Sequence, residues 1–159
     1  PLDTARSHCP PLLYATLLPP QIELKPSDSR SILKRTITLE KGIRQWGNVG
    51  GLVTGLFTED YGLISRSLED GIIEPLRSLL IPGFEDLREA ALEAGALGFG
   101  ISGSGPSVFA LSRGKETALH TEQSLISCYG SLGIPFNTYT SAINKKGVRL
   151  WNEQTDILI

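Results

Sequence analysis

The sequence is poor in sulfur: it has no methionine and only two cysteines among 159 residues. Because translation begins with methionine, we expect the chain to be a processed, truncated or excised product. Cys9 and Cys128 lie far apart, whereas disulfide-stapled secreted proteins carry more cysteines at closer spacings. We therefore expect two free thiols and a cytoplasmic location.

Strong charge and long apolar runs are also lacking. Fifteen basic and seventeen acidic residues give a net charge of −2, so no basic surface for nucleic acid or an anionic membrane is expected. The longest near-apolar stretch, Gly47–Phe57, is far shorter than the ~20 residues that a membrane helix needs. His8 and His120 have no metal-ligand spacing, so we expect no metal site.

What the sequence does contain is typical of a globular domain, with 40% hydrophobic and 20% charged residues. The spacing of apolar residues and of prolines and glycines predicts the secondary structure. In chain order it predicts an edge strand or connector at 12–18, a strand at 21–24, helices at 27–35, from 38, at 61–72, 75–80 and 84–94, a strand at 107–111, a helix at 118–129, and strands at 136–139 and 148–151. This order predicts an α+β fold in which helices cover one face of an antiparallel sheet.

The first long helix carries Gly47, Gly51 and Gly55 at four-residue spacing. A bare glycine face lets another backbone approach closely, and the charged residues before Gly47 exclude a membrane helix. We therefore expect close packing of this face against another helix or a ligand. The same helix carries an apolar stripe at helical spacing: Ile43, Trp46, Val49, Val53 and Leu56.

The segment Gly95–Pro106 is rich in glycine and serine, and we interpret it as a loop between a helix and a strand. Such loops form concave nests of backbone N–H groups that bind anions. The segment lacks the lysine that a Walker loop requires. Its position between a helix and a strand does not fit a dinucleotide-binding fingerprint, which lies between a strand and a helix. The alternative is a tight turn whose glycines serve packing only.

The sequence of this loop and of the segments around it resembles that of a known family. Residues 100–111, GISGSGPSVFAL, are similar to the third conserved motif of the GHMP small-molecule kinases. Three further segments resemble the homoserine kinase branch: QIELKPSDSRSILKR, DGIIEPLRSLLIPGFEDLREAALEAGALG and INKKGVRL. The resemblance covers residues 13–150, and EPLRSLLIPGF separates it from the cytidyl-methylerythritol kinases.

The resemblance implies the C-terminal portion of an ATP-dependent kinase that phosphorylates L-homoserine to O-phospho-L-homoserine in threonine biosynthesis. It implies a ferredoxin-like domain over residues 21–159, with residues 1–20 left from a preceding ATP-binding domain. The family's phosphate-wrapping loop is absent here, so ATP and Mg²⁺ are expected in the complete enzyme and neither is expected to bind well to this chain alone. Apolar surface left by the missing domain could drive formation of a homo-oligomer.

The family's site residues carry over at matching positions. Arg30 and Arg77 are expected to hold the substrate carboxylate, since a guanidinium group binds a carboxylate bidentately. Gly103 is expected beside the substrate and the transferring phosphate. The other loop residues expected there are Gly100, Ser102, Ser104 and Gly105.

Two weaker candidates and one departure complete the expected site. Asp70 and Asn48 are either site residues or merely capping and packing residues. Pro26 stands where the family usually has threonine, so a hydroxyl and an N–H are lost four residues before Arg30.

Two alternative functions stay open on sequence grounds. The first is another GHMP kinase that acts on an alcohol other than an amino acid. The second is a ferredoxin-like regulatory module that binds an amino acid without catalysis.

Overall fold

The structure is a computed structural model that describes residues 7–24 and 31–146. The strand expected at 148–151, residues 27–30 of the helix expected at 27–35, Pro26 and Arg30 lie outside the described residues, and the described remainder of that helix is helical only at Ser31.

The described residues fold as strands and helices in the order expected of an α+β protein. They form β1 (Leu13–Leu18), α1 (Leu39–Thr58), α2 (Tyr61–Ser67), α3 (Glu74–Arg77), a 3-10 turn (Ser78–Leu80), α4 (Phe84–Glu93), β2 (Gly98–Ile101), β3 (Val108–Arg113), α5 (Lys115–Gly130) and β4 (Tyr139–Ala142). The predicted break at Pro82-Gly83 is confirmed, and Pro75 lies at the start of α3 as expected.

The four strands form one antiparallel sheet in the order β2-β3-β1-β4, which is the ferredoxin-like arrangement that the resemblance implies. β1 lies inside the sheet between β3 and β4, so the prediction of an edge strand or connector at 12–18 is wrong. Prolines flank this strand without interrupting its ladder. A boundary after residue 20 would therefore separate β1 from its two partner strands.

Two other strand predictions need correction. No strand forms at 21–24, where Gln21 only donates its N–H to the carbonyl of Pro135 at 2.7 Å. The strand expected at 136–139 begins at Tyr139, while Phe136 forms an isolated bridge with Pro20. Prolines lie beside both segments, and proline has no backbone N–H to donate, so the strand ladder does not extend there.

The main core lies between one face of the sheet and helices α4 and α5. Phe84 of α4 packs on Phe99 of β2 with their ring centroids 5.3 Å apart. Tyr129 of α5 meets Phe136 edge to face at 5.4 Å. The apolar stripe predicted for the helix at 84–94 is thus confirmed as a buried face. Other fully buried residues of the main core are Leu18, Leu87, Ala91, Val108, Ala110 and Leu125.

The sequence predicts that Gly98 and Gly100 belong to the glycine-rich loop, and this prediction is wrong because both lie in β2. Both glycines point to the face of the sheet opposite the main core, where space is short. A Cβ on Gly98 would lie 2.7 Å from Leu68, and one on Gly100 would lie 3.0 Å from the carboxylate of Glu74. These glycines therefore allow α2 and α3 to approach the sheet closely.

The glycine face of α1 packs on α2, as expected, at two of its three positions. A Cβ on Gly51 would collide with Ser67, and one on Gly55 would lie 2.9 Å from Ile64. Gly47 has open space instead, so close packing is not found there. No helix in the described part of the chain is both long enough and apolar enough to cross a membrane.

The predicted apolar stripe of α1 exists, but most of it faces solvent. Its exposed members are 46% to 67% accessible: Ile43, Trp46, Val49 and Val53. Leu39 and Phe57 extend the exposed surface toward the two ends of the helix. We call these six side chains the apolar surface of α1.

Candidate active site

A cavity of about 220 Å³ opens between α1, the end of α2, α3 and β2. Its walls are partly apolar and partly charged, as is usual for sites that bind small polar molecules. The charged residues that line it are Glu69, Asp70, Glu74 and Arg77, and Gly100 and Gly103 contribute backbone. The structure thus places four of the predicted site residues in one cavity, and it adds Glu69 and Glu74.

Arg77 is held at the end of α3 with part of its guanidinium unused. Its Nη1 atom donates to the carbonyl oxygen of Gly103 at 3.1 Å. Its Nε atom is buried and has no hydrogen-bond partner among the described residues. A buried donor without a partner costs about 1–3 kcal/mol. An anionic ligand in the cavity would supply the missing acceptor.

The loop between β2 and β3 presents free backbone donors beside Arg77. The N–H of Ser102 donates to Ser107 at 2.8 Å, and that of Gly105 donates to Ser102 at 3.1 Å. Gly103 and Gly105 have φ values of +63° and +79°, which glycine adopts readily. In the described chain, the N–H groups of Gly103 and Ser104 have no partner.

The other loop residues stand less close to the cavity. Ser102 and Ser104 are exposed, and neither they nor Gly105 line the cavity. The structure therefore brings Gly100 and Gly103 to the cavity and leaves Ser102, Ser104 and Gly105 at the outer part of the same loop.

Asp70 accepts hydrogen bonds from the backbone of the turn that leads into α3. Its Oδ1 atom accepts from the N–H groups of Ile72 at 2.8 Å and Ile73 at 2.9 Å, and Oδ2 accepts from that of Glu74 at 3.3 Å. Such bonds satisfy backbone donors that a helix start leaves free. The capping alternative for Asp70 thus agrees with the geometry, although the residue also lines the cavity.

Asn48 does not line the cavity but forms a hydrogen bond with the loop that precedes α3. Its Nδ2 atom donates to the carbonyl of Glu69 at 2.9 Å. The neighbouring Gln45 accepts from the N–H of Gly71 at 3.1 Å, and Arg44 pairs with Glu69 at 3.2 Å. These contacts attach the loop before α3 to α1, which agrees with the packing alternative for Asn48.

Glu74 is, with Glu69, a charged residue of the cavity that the sequence did not predict. Its side chain is only 9% exposed and lies 3.6 Å from Arg88 of α4. Burial raises its pKa from 4.5 to about 7; Arg88 opposes the rise, and the nearby carboxylates of Asp70, Glu85 and Glu69 add to it. The available signal was a glutamate one helical turn before Arg77, which places both on one side of α3.

Residues 52–130 match the family described as GHMP kinases C terminal. The chain belongs to the GHMP kinases and carries their C-terminal domain. Within that superfamily, its similarity is to homoserine kinases.

Three relatives show this similarity. The crystal structure of homoserine kinase from Cytophaga hutchinsonii matches at a TM-score of 0.88 and 48% identity, over 90% of this chain and 45% of that one. The homoserine kinase of Chlorobium phaeobacteroides (strain BS1) is 45% identical over 94% of this chain and 48% of its own length. That of Chloroherpeton thalassium is 57% identical over 70% of this chain and 35% of its own length. The chain spans about half the length, or less, of these relatives.

Proposed function

We propose that this chain is the substrate-side, C-terminal portion of an ATP-dependent homoserine kinase. In the reaction, the side-chain hydroxyl oxygen of L-homoserine bonds to the γ-phosphorus of ATP. The bond to ADP breaks, and the hydroxyl proton is released. The identity of about half the residues with homoserine kinases supports this substrate.

The observation that carries the proposal is the unpartnered, buried Nε atom of Arg77 in the cavity. Nε and an Nη atom form the fork with which arginine binds a carboxylate bidentately. Homoserine carries such a carboxylate. Because Nη1 is already fixed by Gly103, the fork is oriented before any ligand arrives. Arg30, the second arginine predicted from the sequence, lies outside the described residues and stays a prediction.

The loop at Gly103 would act on the phosphoryl group. Phosphoryl transfer depends mainly on positioning and on charge stabilisation. Free N–H groups at Gly103 and Ser104 provide donors for anionic oxygen atoms next to the arginine that holds the substrate. This arrangement supports a transfer near the mouth of the cavity.

ATP and Mg²⁺ belong to the proposal only through the complete enzyme. In the described residues, no three acidic, histidine or cysteine side chains are close enough to hold a metal ion. These residues therefore do not fit a metal site, and we derive no step through one. A cytoplasmic location is likewise part of the proposal, and the unpaired state of Cys9 and Cys128 agrees with it.

The test is a coupled ADP-release assay with Mg·ATP and L-homoserine, applied to this chain and to the full-length protein. We expect turnover from the full-length protein and none from the chain alone. Arg77→Ala in the full-length protein should raise KM for homoserine at least tenfold, since hydrogen bonds to charged groups contribute about 1.5–3 kcal/mol. Arg66→Ala, an exposed arginine of α2 outside the cavity, is the control.

Two results would contradict the proposal. A full-length protein that phosphorylates another alcohol but not homoserine would assign it to a different GHMP kinase. An unchanged KM in Arg77→Ala would remove the arginine from substrate binding.

We also propose that the apolar surface of α1 supports self-association into a homo-oligomer. Six large side chains there are each 46% to 71% exposed, which is unusual for a monomer surface. Analytical ultracentrifugation of the chain and of Trp46→Glu tests this. A chain that sediments as a monomer at high concentration would contradict it.

A further inference from the structure

One face of α1 carries exposed apolar side chains at the spacing that paired helices use. Its residues follow one another at intervals of four and three: Leu39, Ile43, Trp46, Gly50, Val53 and Phe57. This alternation is that of the a and d positions of a heptad repeat, which form the contact line of a coiled coil. The five large side chains among them are 46% to 71% exposed. We call this line of six residues the seam of α1.

The seam points away from the rest of the domain. α2 packs on the face of α1 that carries Gly51 and Gly55. At 3.6 residues per turn, that face lies about 140° around the helix from the seam. A second helix can therefore lie along the seam without displacing α2.

Gly50, near the middle of the seam, has no packing reason within the domain. A Cβ there would lie in open space, with no neighbouring atom of the described chain within 4 Å. Glycine inside a helix is also less stable than alanine. A glycine at this point is useful when a large side chain of another helix must approach the backbone, because facing layers interdigitate best when a large residue meets a small one.

The seam is complementary to itself when two copies run in opposite directions. A two-fold axis at position 48, the midpoint of the seam, places Trp46 of each copy level with Gly50 of the other. The largest side chain then meets the smallest residue twice, since a two-fold interface repeats every contact. A parallel pair would instead place tryptophan beside tryptophan and glycine beside glycine. The antiparallel axis also pairs the other apolar residues of the seam: Ile43 with Val53, and Leu39 with Phe57.

Charge and area agree with a second copy of the chain as the occupant. Between residues 39 and 57, the positions that flank the seam include one charged residue, Glu40. The antiparallel pairing sets Glu40 beside Thr54 of the partner, so no like charges oppose each other. The six large side chains of the apolar surface of α1 expose an area on the order of the 800 Å² per partner that a standard interface buries.

We propose that two copies of this chain form a dimer through an antiparallel, two-fold pairing of their α1 helices, in which Trp46 of each copy packs against Gly50 of the other. This inference rests on the self-association proposed above and gives it a stoichiometry, a direction and a register. It does not depend on the identity of the substrate.

The direction of one mutational effect tests the register. Gly50→Leu removes a residue that weakens the helix and adds apolar surface, so undirected hydrophobic association would become stronger. In the proposed dimer the added side chain meets the partner's Trp46, and the dissociation constant from sedimentation equilibrium should rise at least tenfold. Gly130→Leu adds the same side chain in open space at the end of α5 and is the control. It should leave the dissociation constant within about threefold of wild type.

Cross-linking tests the direction of the pairing independently. Cysteine is introduced at Glu40 or at Thr54, both exposed, in a chain that carries Cys9→Ser and Cys128→Ser. An antiparallel pair separates each of these positions from its own copy by about 18–24 Å along the helix axis, but brings position 40 beside position 54 of the partner. A short bismaleimide linker should therefore join a mixture of the Glu40→Cys and Thr54→Cys chains, and should join neither chain to itself.

Each contrary outcome overturns the inference. An unchanged or lower dissociation constant in Gly50→Leu would contradict the register, and cross-linking of Glu40→Cys chains to one another would show a parallel pair. A trimer or larger assembly would show a different arrangement, and all three results would leave self-association standing. A dimeric chain with a monomeric full-length protein would show that another part of the protein covers the seam. A monomeric chain would defeat self-association as well, whereas the ADP-release assay decides the kinase proposal separately.

Discussion

The raised pKa of Glu74 predicts that ionisation of this one carboxyl destabilises the fold. The native state keeps the proton up to a pKa of about 7, whereas the unfolded chain releases it above 4.5. Between these values the native state binds more protons, so the free energy of unfolding falls as pH rises. A change in pKa from 4.5 to about 7 amounts to about 3 kcal/mol at about 1.4 kcal/mol per pKa unit. Water at the mouth of the cavity makes this an upper bound.

Glu74→Gln isolates this contribution, because the amide has nearly the shape of the protonated acid and stays neutral. We expect the variant and the wild type to be about equally stable at pH 5. At pH 8 the variant should be more stable by up to about 3 kcal/mol. Arg88 loses its partner in the variant, but its side chain is 38% exposed and keeps much of its hydration.

The measurement is urea unfolding of the chain at pH 5 and pH 8, at constant ionic strength, followed by tryptophan fluorescence. Taking the difference between variant and wild type at each pH cancels the titrating groups that do not interact with Glu74. Glu89→Gln, exposed on α4, is the control and should give a difference that does not change with pH. A difference for Glu74→Gln that is independent of pH, or that favours the wild type at pH 8, would refute the reasoning.

Three further predictions concern stability and use the same unfolding assay. Gly55→Ala should destabilise by about 1–3 kcal/mol, because its Cβ would meet α2 at 2.9 Å, whereas Gly47→Ala, in open space, should stabilise by up to about 1 kcal/mol; effects of the same sign would contradict this. Asp70→Ala should lose about 1–2 kcal/mol with the hydrogen bonds that hold the turn before α3, and a loss below about 0.5 kcal/mol, the level of a neutral surface change, would show that water replaces them. Leu87→Ala, at a fully buried position, should lose about 2–5 kcal/mol, while Leu79→Ala, 82% exposed, should change stability by less than about 0.5 kcal/mol; similar effects would contradict the assigned core.

The helices were predictable because local signals mark their ends. Thr38 caps α1 through its side chain, which accepts from Lys41 at 3.4 Å. Pro75 opens α3, and Gly83 precedes α4 with a φ of +71°. Such signals depend on residues next to one another in the sequence. The end of α2 had no such signal, and the helix predicted at 61–72 ends at Ser67.

The sheet was less predictable because its pairings are distant in the sequence. β1 reads as an edge because prolines flank it, yet its partners lie in β3 and β4. β2 alternates glycine with Phe99 and Ile101, and glycine hides the period that would mark a strand. Which face of α1 is buried likewise depends on what packs against the helix. The face with Gly51 and Gly55 contacts α2, so the apolar stripe faces solvent.

The candidate site was predictable where a motif carried it and not where burial did. Arg77 and Gly103 were expected from sequence motifs shared with a family, and a hydrogen bond joins them in the structure. Glu74 stands in the same matched segment, EPLRSLLIPGF, but the resemblance implied no role for it. Its properties come from desolvation in a cavity that only the tertiary structure forms.

The interior position of β1 has a consequence for the order of events during synthesis. A ribosome makes β1 first, but one of its neighbours is completed only at Arg113 and the other only at Ala142. At about 5–20 residues per second, an interval on the order of ten seconds separates the first strand from the last. The segment LYATLL has both edges unpaired until β3 is made and one edge unpaired until β4 is made, and each unpaired edge is open to wrong partners. The sheet thus closes around its oldest strand, so a nascent chain released before β4 is made leaves one edge of β1 permanently open.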